Sequence, residues 1–302
     1  MENKLWVCFT MDVERIAQFS PPGGPENLEV AHRSVDSYCQ ILADNGFFAT
    51  LFIVPEAAYD QRQLLKQKAV EGHELGLHFH DQSFLDHWKN PDLYDYLGGY
   101  TLEIQRGKLL EAKKIWINAL ETEPKTMRPG NFSANDSTFP LLTELGFTHG
   151  SVSQPGRNWN IFKANWENAC RNVHRGHCAY RLVEGDLDFV EIPVTTGNES
   201  MGEWGFGDIR LEGADIQTII NISRNDIERQ INEGISFKHL CYFTHNTVNY
   251  YDKGNRESYR GDLLTELLAA LKEMSAARGL ELEGATTRSL REAYTAQTMP
   301  QM

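Results

Sequence analysis

Residues 73–80 read His73-Glu-Leu-Gly-Leu-His-Phe-His80, and this short stretch does most to decide how the chain folds. Side chains alternate between the two faces of a strand, so His78 and His80 share one face and the apolar residues occupy the other. Two imidazoles two residues apart, at the end of an otherwise apolar strand, can converge on one metal ion. A hydrogen-bonded pair of histidines is the alternative that this segment alone leaves open. His73 has the opposite parity, and we expect it to be structural.

A second pair of polar side chains stands at the end of the first predicted strand. The apolar run Leu5–Asp12 predicts that strand, and Glu14 follows two residues after Asp12. The same alternation places both carboxylates on one side of the chain. Such a pair can divide its work, since one carboxylate binds a cation while the other takes a proton from water. A solvated strand end gives the same pattern, so the motif needs support from elsewhere in the chain.

Short β-rich runs alternate with amphipathic stretches along nearly the whole chain. The stretch Arg260–Arg278 has leucines at helical spacing with charges on the opposite face, and Leu93–Leu120 predicts another helix. Glycines stand where left-handed helix caps belong, as at Gly46, Gly146 and Gly279. Strand–helix alternation over this length predicts an α/β fold with a parallel sheet, either open or closed into a barrel.

Two further strand ends carry ionisable side chains. Arg128 stands just before a Pro-Gly turn, and the apolar strand predicted for residues 240–245 ends on His245. Parallel strands end at one edge of the sheet, which is where α/β barrels place their catalytic groups. Ionisable groups at several strand ends therefore favour an enzyme.

The composition limits the class of protein. Of the 302 residues, 41% are apolar and 24% are charged, which excludes wholesale disorder. The apolar runs are strand-sized, so we expect no membrane span. A net charge of −13 disfavours nucleic acid and anionic membrane surfaces as partners. The first residues do not resemble a signal peptide, so we expect a cytoplasmic protein. The oligomeric state stays open, a homo-oligomer included.

Residues 154–188 interrupt the alternation of strands and helices. This segment is long and weakly periodic, and we interpret it as a loop insertion within a single domain spanning residues 1–302. Its aromatic residues either pack the loop or line a ligand site, since barrel enzymes build their sites from such loops. These residues are Trp159, Phe162 and Trp166.

The same segment contains four side chains that often bind metals: Cys170, His174, His177 and Cys178. A structural metal, a disulfide between the two cysteines and an ordinary polar loop all fit this spacing. We favour the ordinary loop, because the paired C-x-x-C knuckles of structural zinc sites are missing.

At five places the sequence resembles the polysaccharide deacetylases with NodB homology, metal-dependent N-deacetylases of the carbohydrate esterase family four type. The most specific match is Gly-His-Glu-Leu-Gly-Leu-His at residues 72–78, and the other matching segments are 10–14, 127–147, 191–194 and 240–245. The resemblance covers nearly the whole chain. It implies a distorted, TIM-like (β/α) barrel of seven or eight parallel strands, with long loops at the C-terminal face and a divalent metal, usually zinc.

The resemblance also implies roles for single residues. Asp12 falls at the position of the family's general base, and Arg128 falls at that of the arginine that holds this base. His245 falls at the position of the general acid. His78 matches the first histidine ligand of the metal.

Two positions depart from the family pattern. Val13 stands where the family has a metal-binding aspartate, so we expect Glu14, on the same face as Asp12, to replace it. The second histidine ligand would fall at Gln82, whose amide is a poor ligand for zinc. Strand parity favours His80 as that second imidazole.

These roles predict a metal-dependent hydrolase that cleaves a C–N amide bond, most simply by N-deacetylation of an acetamido sugar or glycan. A cyclic or small-molecule amide hydrolase on the same scaffold, as in the allantoinase-like branch of the superfamily, is the alternative. A glycan-binding protein that has lost its metal is the third. The expected partner in each case is a carbohydrate or a small-molecule amide.

Overall fold

The computed structural model describes residues 3–20, 23–200 and 206–298. Its strands are β1 (Lys4–Val13), β2 (Ala49–Ile53), β3 (Glu74–Phe79), β4 (Thr126–Pro129), β5 (His149–Gly150), β6 (Asn158–Trp159), β7 (Ala164–Asn165), β8 (His174–Arg175), β9 (Val190–Glu191), β10 (Thr196–Ser200), β11 (Phe206–Asp208), β12 (Lys238–His245) and β13 (Glu281–Ala285). Its α-helices are α1 (Leu28–Asp44), α2 (Pro55–Asp60), α3 (Arg62–Val70), α4 (Leu102–Leu120), α5 (Thr138–Glu144), α6 (Ile216–Asn232), α7 (Gly261–Ala276) and α8 (Thr287–Thr298).

A mostly parallel sheet forms the centre of the fold, in the order β12-β1-β2-β3-β4-β5-β9-β8, with β13 also paired to β1. The sheet curls round on itself. The backbone N–H of Thr195, in the segment after β9, donates to the carbonyl of Cys241 on β12 at 3.1 Å. The Thr195 hydroxyl in turn accepts from the Cys241 N–H at 3.0 Å. The expected α/β barrel is therefore confirmed, with β8 the antiparallel exception among the strands of this sheet.

The first strand is the best-paired element of the barrel. Along one edge β1 pairs with β12, and along the other it pairs first with β13 and then with β2. Its residues from Val7 to Glu14 are all buried. A strand buried on both faces is typical of a parallel sheet covered by helices. The amphipathic helix α1 begins where Asn27 accepts a hydrogen bond from the Val30 N–H, and it packs its apolar face inward.

One helix is shorter than the sequence predicts. The pattern over Leu93–Leu120 predicts a single helix, but α4 begins only at Leu102, and short 3₁₀ turns precede it. Gly98 explains the difference, because a Cβ there would lie 2.7 Å from the carbonyl oxygens of Ala134 and Lys163. The loop is therefore pressed against neighbouring backbone and cannot continue the helix. The caps predicted at Gly46, Gly146 and Gly279 do have positive φ.

The segment 154–188 contains an antiparallel β6–β7 hairpin and strand β8. Trp166 is fully buried, and its indole N–H donates to the carbonyl of Phe132 at 2.7 Å. This tryptophan packs the loop against the barrel. Among the helices that the structure describes, none has both the length and the apolar character needed to cross a bilayer.

A polar network closes the barrel at the end where the strands begin. The buried carboxylate of Glu74 lies 2.9 Å from the imidazole of His149 and accepts from the Thr287 hydroxyl at 2.8 Å and the Arg288 N–H at 2.7 Å. Burial favours the neutral acid, but these partners outweigh it and lower the pKa of Glu74. The carboxylate thereby joins the start of α8 to the sheet.

Candidate active site

Four parallel strands deliver the predicted residues to the same edge of the sheet. Asp12 lies at the end of β1, directly beside His245 at the end of β12. His78, on β3, pairs in register with Arg128 on β4. This register follows from the alignment of apolar runs across the sheet. The structure thus brings all six sequence-predicted site residues together at the C-terminal ends of the strands.

Glu14, His78 and His80 form a compact group of potential metal ligands. One atom from each of the three side chains can be chosen so that all lie within 4.8 Å of one another. Glu14 Oε1 lies 3.2 Å from Nε2 of His78 and 3.1 Å from Nε2 of His80. Two buried atoms in this group, Glu14 Oε2 and His78 Nε2, have no hydrogen-bond partner. In the part of the chain that the structure describes, this is the one group of three or more such ligands.

The two histidines are held by backbone on their far sides. His78 Nδ1 lies 2.8 Å from the carbonyl oxygen of Arg128, which requires that Nδ1 carry the proton and donate it. Its Nε2 then presents a lone pair toward Glu14, as in a metal-binding imidazole. The His80 ring lies against Gly130, where a Cβ would come within 2.3 Å of the ring nitrogen Nδ1. A side chain at position 130 would therefore displace His80.

Asp12 is buried and held ionised. Its Oδ1 accepts from Arg128 Nη1 at 2.7 Å, and Arg128 is itself fixed by Nη2 donating to the Ser151 hydroxyl at 2.9 Å. Burial raises the pKa of a carboxyl group, but Arg128 and the neighbouring imidazoles outweigh it and lower the pKa of Asp12. The second oxygen, Oδ2, lies 3.8 Å from His78 Nε2 and 3.9 Å from His245 Nε2. That oxygen is available to a proton in the pocket.

Glu212 is a site residue that sequence reasoning missed. Its carboxylate contacts Nδ1 of His245, which leaves Nε2 of this imidazole directed toward Asp12. Burial favours neutral imidazole, but Glu212 and Asp12 outweigh it and raise the pKa of His245. A short extended run carries Glu212 to this place, since the Leu211 N–H donates to the carbonyl of Phe243 on β12. The alternation of apolar and polar residues over 209–212 could have indicated that extended run.

A pocket of about 370 Å³ is lined in part by Asp12, Glu14, His78, His80 and His245. Aromatic side chains of Tyr96, Trp159 and Phe162 form part of its wall, so two of the three aromatics singled out in segment 154–188 face a ligand site. Gln82 also lines the pocket. The preceding Asp81 is engaged elsewhere, where it accepts from Lys108 at 2.7 Å.

The second group of potential ligands is dispersed. Cys170 and Cys178 are free thiols, so the alternative of a disulfide between them is wrong. The Cys170 thiol donates to the carbonyl of Asn172 at 3.6 Å, and His174 Nδ1 lies 2.8 Å from the same oxygen. His177 Nδ1 accepts from the N–H groups of the residues that follow it. These contacts are those of an ordinary polar loop.

Comparison with known proteins agrees with the fold. The family model "Polysaccharide deacetylase" matches residues 23–150. The chain is similar in structure to a protein assigned as a polysaccharide deacetylase from Mycobacterium smegmatis, with a TM-score of 0.64, 18% identity, and coverage of 100% of this chain and 96% of that one. A protein assigned as a polysaccharide deacetylase from Pseudomonas aeruginosa PAO1 is similar with a TM-score of 0.61 and 13% identity, and the match covers 99% of this chain and 94% of that one. An allantoinase is similar with a TM-score of 0.61 and 14% identity, and the match covers 100% of this chain and 93% of that one. A search of curated proteins found no match.

The family match and the barrel together define a hydrolase of the kind that acts on acetyl or amide groups. The resemblance found in the sequence is confirmed: residues 23–150 match the polysaccharide deacetylase family model, and the fold of the whole chain is similar to that of solved proteins assigned to this family.

Proposed function

We propose that the protein is a metal-dependent hydrolase of C–N amide bonds, in which Glu14, His78 and His80 hold a divalent cation. The observation that carries this proposal is the pair of buried ligand atoms, Glu14 Oε2 and His78 Nε2, that have no hydrogen-bond partner. A buried polar atom without a partner costs about 1–3 kcal/mol, and a shared cation would satisfy both atoms. Two imidazoles and one carboxylate are a donor set that suits zinc.

The chain's own residues account for the proton transfers. When bound, the cation would polarise the amide carbonyl and acidify the attacking water. Asp12 Oδ2 takes the proton of that water, because Arg128 occupies the other oxygen and keeps the carboxylate ionised. His245 lies beside Asp12, with its Nε2 3.9 Å from Asp12 Oδ2, and gives its Nε2 proton to the departing nitrogen. The amide is thus converted into a carboxylic acid and an amine, with the water's atoms fully accounted for.

Glu212 supports the donation of a proton by His245 to the departing nitrogen. Its contact with Nδ1 fixes the ring of His245 and favours the positively charged form that can act as an acid. We therefore assign Glu212 as a positioning residue for His245.

N-deacetylation of an acetamido sugar or glycan is the form of this reaction that we propose. The match to the polysaccharide deacetylase family supports it. The aromatic wall of Tyr96, Trp159 and Phe162 supports it as well, because flat aromatic rings pack against the apolar faces of sugar rings.

Hydrolysis of a cyclic amide is the second candidate, and the structural similarity to an allantoinase is the observation that favours it. Both reactions use the same ligands and the same acid–base pair. They differ in whether the product amine leaves or stays tethered to the opened ring.

The test combines metal analysis with a substrate panel. We expect purified protein to contain about one zinc or similar divalent ion per chain, measured by mass spectrometry, and His78→Ala to lose it. His177→Ala is the matched control, since His177 lies in the polar loop. Acetate release from N-acetylglucosamine oligomers would support deacetylation, and ring opening of allantoin would support the second candidate. Full metal content in His78→Ala, or a metal-loaded protein inactive on every amide, would overturn the proposal.

A further inference from the structure

Two arginines lie in the pocket wall away from the proposed ligands. Arg157 and Arg210 line the pocket of about 370 Å³ and also a neighbouring cavity of about 470 Å³. They therefore stand where the two spaces meet, in a chain whose net charge is −13. Neither belongs to a family motif quoted above. Their surroundings show what they can do.

Arg157 is a buried cation whose hydrogen bond goes to a neutral group. The residue is 3% exposed, and its guanidinium lies 4.0 Å from the ring centre of Trp159. Its Nη1 donates to Gln154 Oε1 at 2.7 Å, which is a neutral acceptor. Within the described ranges no carboxylate forms an ion pair with it. Burial, together with the nearby charge of Arg210, outweighs the opposing effect of Asp208 and lowers the pKa of Arg157 to about 9.

The carboxylates of this wall have other partners than Arg157. Asp208 Oδ2 accepts from Gln154 Nε2 at 2.8 Å and lies 3.4 Å from Arg210 Nη2, so the ion pair that it forms is with Arg210. Asp215, which also lines the neighbouring cavity, accepts from Thr218 in the first turn of α6. In the described part of the chain, neither carboxylate forms a direct ion pair with Arg157.

We propose that Arg157 and Arg210 bind an anionic group of the substrate, a carboxylate or a phosphate monoester, while the amide of the same molecule lies at Glu14, His78 and His80. Guanidinium groups pair with both anions through two parallel hydrogen bonds. Trp159, stacked on Arg157, restrains the guanidinium plane and so orients it for such a pair. This inference rests on the proposed function and narrows its substrates to anionic acetamido sugars of compact size.

The experiment compares three sugars that share the acetamido group. N-acetylglucosamine is neutral, N-acetylmuramic acid adds a carboxylate, and N-acetylglucosamine 6-phosphate adds a phosphate. We expect at least one anionic sugar to bind about 10-fold or more tightly than the neutral sugar, by calorimetry and by KM where turnover occurs, because charged hydrogen bonds are strong and a tenfold change corresponds to about 1.4 kcal/mol. The anionic sugar that binds more tightly than the neutral one shows whether a carboxylate or a phosphate is recognised. Raised salt should reduce the difference.

Variants locate the anion site. Arg210→Gln should remove most of the preference, and it carries the test alone if the buried Arg157→Gln fails to fold. Arg157→Lys keeps the charge but loses the planar fork, and it should lose part of the preference. Arg224→Gln, on the exposed face of α6, is the matched control and should leave the preference unchanged.

The outcomes separate this inference from the proposed function. Equal binding of all three sugars, or a preference that survives Arg210→Gln, overturns the anion site even where the neutral sugar is hydrolysed. Tight, arginine-dependent binding of an anionic sugar without any hydrolysis supports the anion site and overturns the hydrolase.

Discussion

Asp12 is held by one oxygen and available through the other, and this division sets its proposed role. We expect Asp12→Asn to keep the bound metal, because Asp12 is not among the proposed ligands. The variant should lose about 10²–10⁴-fold in kcat, the usual contribution of a general base. Metal content and kcat, measured on the same preparation, test both statements. Asp44→Asn, on the exposed face of α1, serves as the control.

A different outcome would remove the base from the mechanism. If Asp12→Asn turns over normally with its metal in place, the water must lose its proton to another group. Joint loss of metal and activity would instead make Asp12 a ligand.

His80 and Gln82 give competing predictions about the second imidazole ligand. The structure places His80 Nε2 3.1 Å from Glu14 Oε1, within the group of potential ligands, and it places Gln82 in the pocket wall. We expect His80→Ala to reduce zinc affinity by about 100-fold or more, above the 10- to 100-fold cost of losing a residue that merely supports a ligand. Gln82→Ala should change it far less. Competition with a zinc chelator measures both, and the reverse ranking would favour the spacing found in the family.

Glu212 should control the alkaline side of the pH dependence. Its carboxylate raises the pKa of His245, so the acid form of this imidazole persists to higher pH. Glu212→Gln removes that charge, and we expect the alkaline fall in kcat/KM to begin at lower pH. Glu212→Asp, which keeps the charge, should retain more of the wild-type profile. An alkaline limb that does not move in Glu212→Gln would separate His245 from the general-acid step.

At the residue scale, prediction from sequence works where strand parity applies. Asp12 and Glu14, like His78 and His80, follow one alternating strand, so their shared direction can be read from spacing alone. Arg157 comes from an irregular loop, where spacing carries no direction, and the extended run that carries Glu212 is very short. Only the closed barrel brings them to the pocket.

At the scale of elements, substitution of two glycines distinguishes an effect on helix stability from an effect on zinc binding. Gly107 lies on the exposed face of α4, where a Cβ meets nothing within 4 Å, whereas a Cβ at Gly130 would meet the ring of His80. We expect Gly107→Ala to increase the free energy of unfolding by about 0.5–1 kcal/mol with no change in zinc affinity. Gly130→Ala should weaken zinc binding. Urea titration and chelator competition measure the two, and unaltered zinc affinity in Gly130→Ala would show that His80 is not a ligand.

The same scale shows why one helix boundary escaped sequence analysis. Helical periodicity continues from residue 93 into α4, yet the chain turns near Gly98 because loops from Ala134 and Lys163 crowd it. These loops are distant in sequence. A pattern within one segment cannot contain them.

For the molecule as a whole, the network around Glu74 should tie stability to pH. Glu74→Gln breaks a buried, charged set of hydrogen bonds between the sheet and α8, and we expect it to cost about 3 kcal/mol near neutral pH. The pKa of Glu74 is lower in the folded protein than in the unfolded chain. Its ionised form therefore contributes stability fully above the unfolded value of about 4.3, and this is lost as pH falls through the folded value.

Urea titrations of wild type and Glu74→Gln across this range provide the measurement. Their free energies of unfolding should converge as the pH falls below about 4. A constant difference at all pH values would mean that the charge of Glu74 contributes nothing. Glu71→Gln, at the partly exposed end of α3, provides a control.

The pairing of β1 with β12 has a consequence for how the protein is made. Asp12 pairs with His245, about 230 residues later, so β1 leaves the ribosome long before β12 exists. At about 5–20 residues per second, the wait is roughly 10–50 s. During it, one edge of an apolar strand has no partner and can pair with another nascent chain. The acid and the base meet only after β12 has been made, so a chain stalled or cleaved before β12 is both inactive and prone to aggregate.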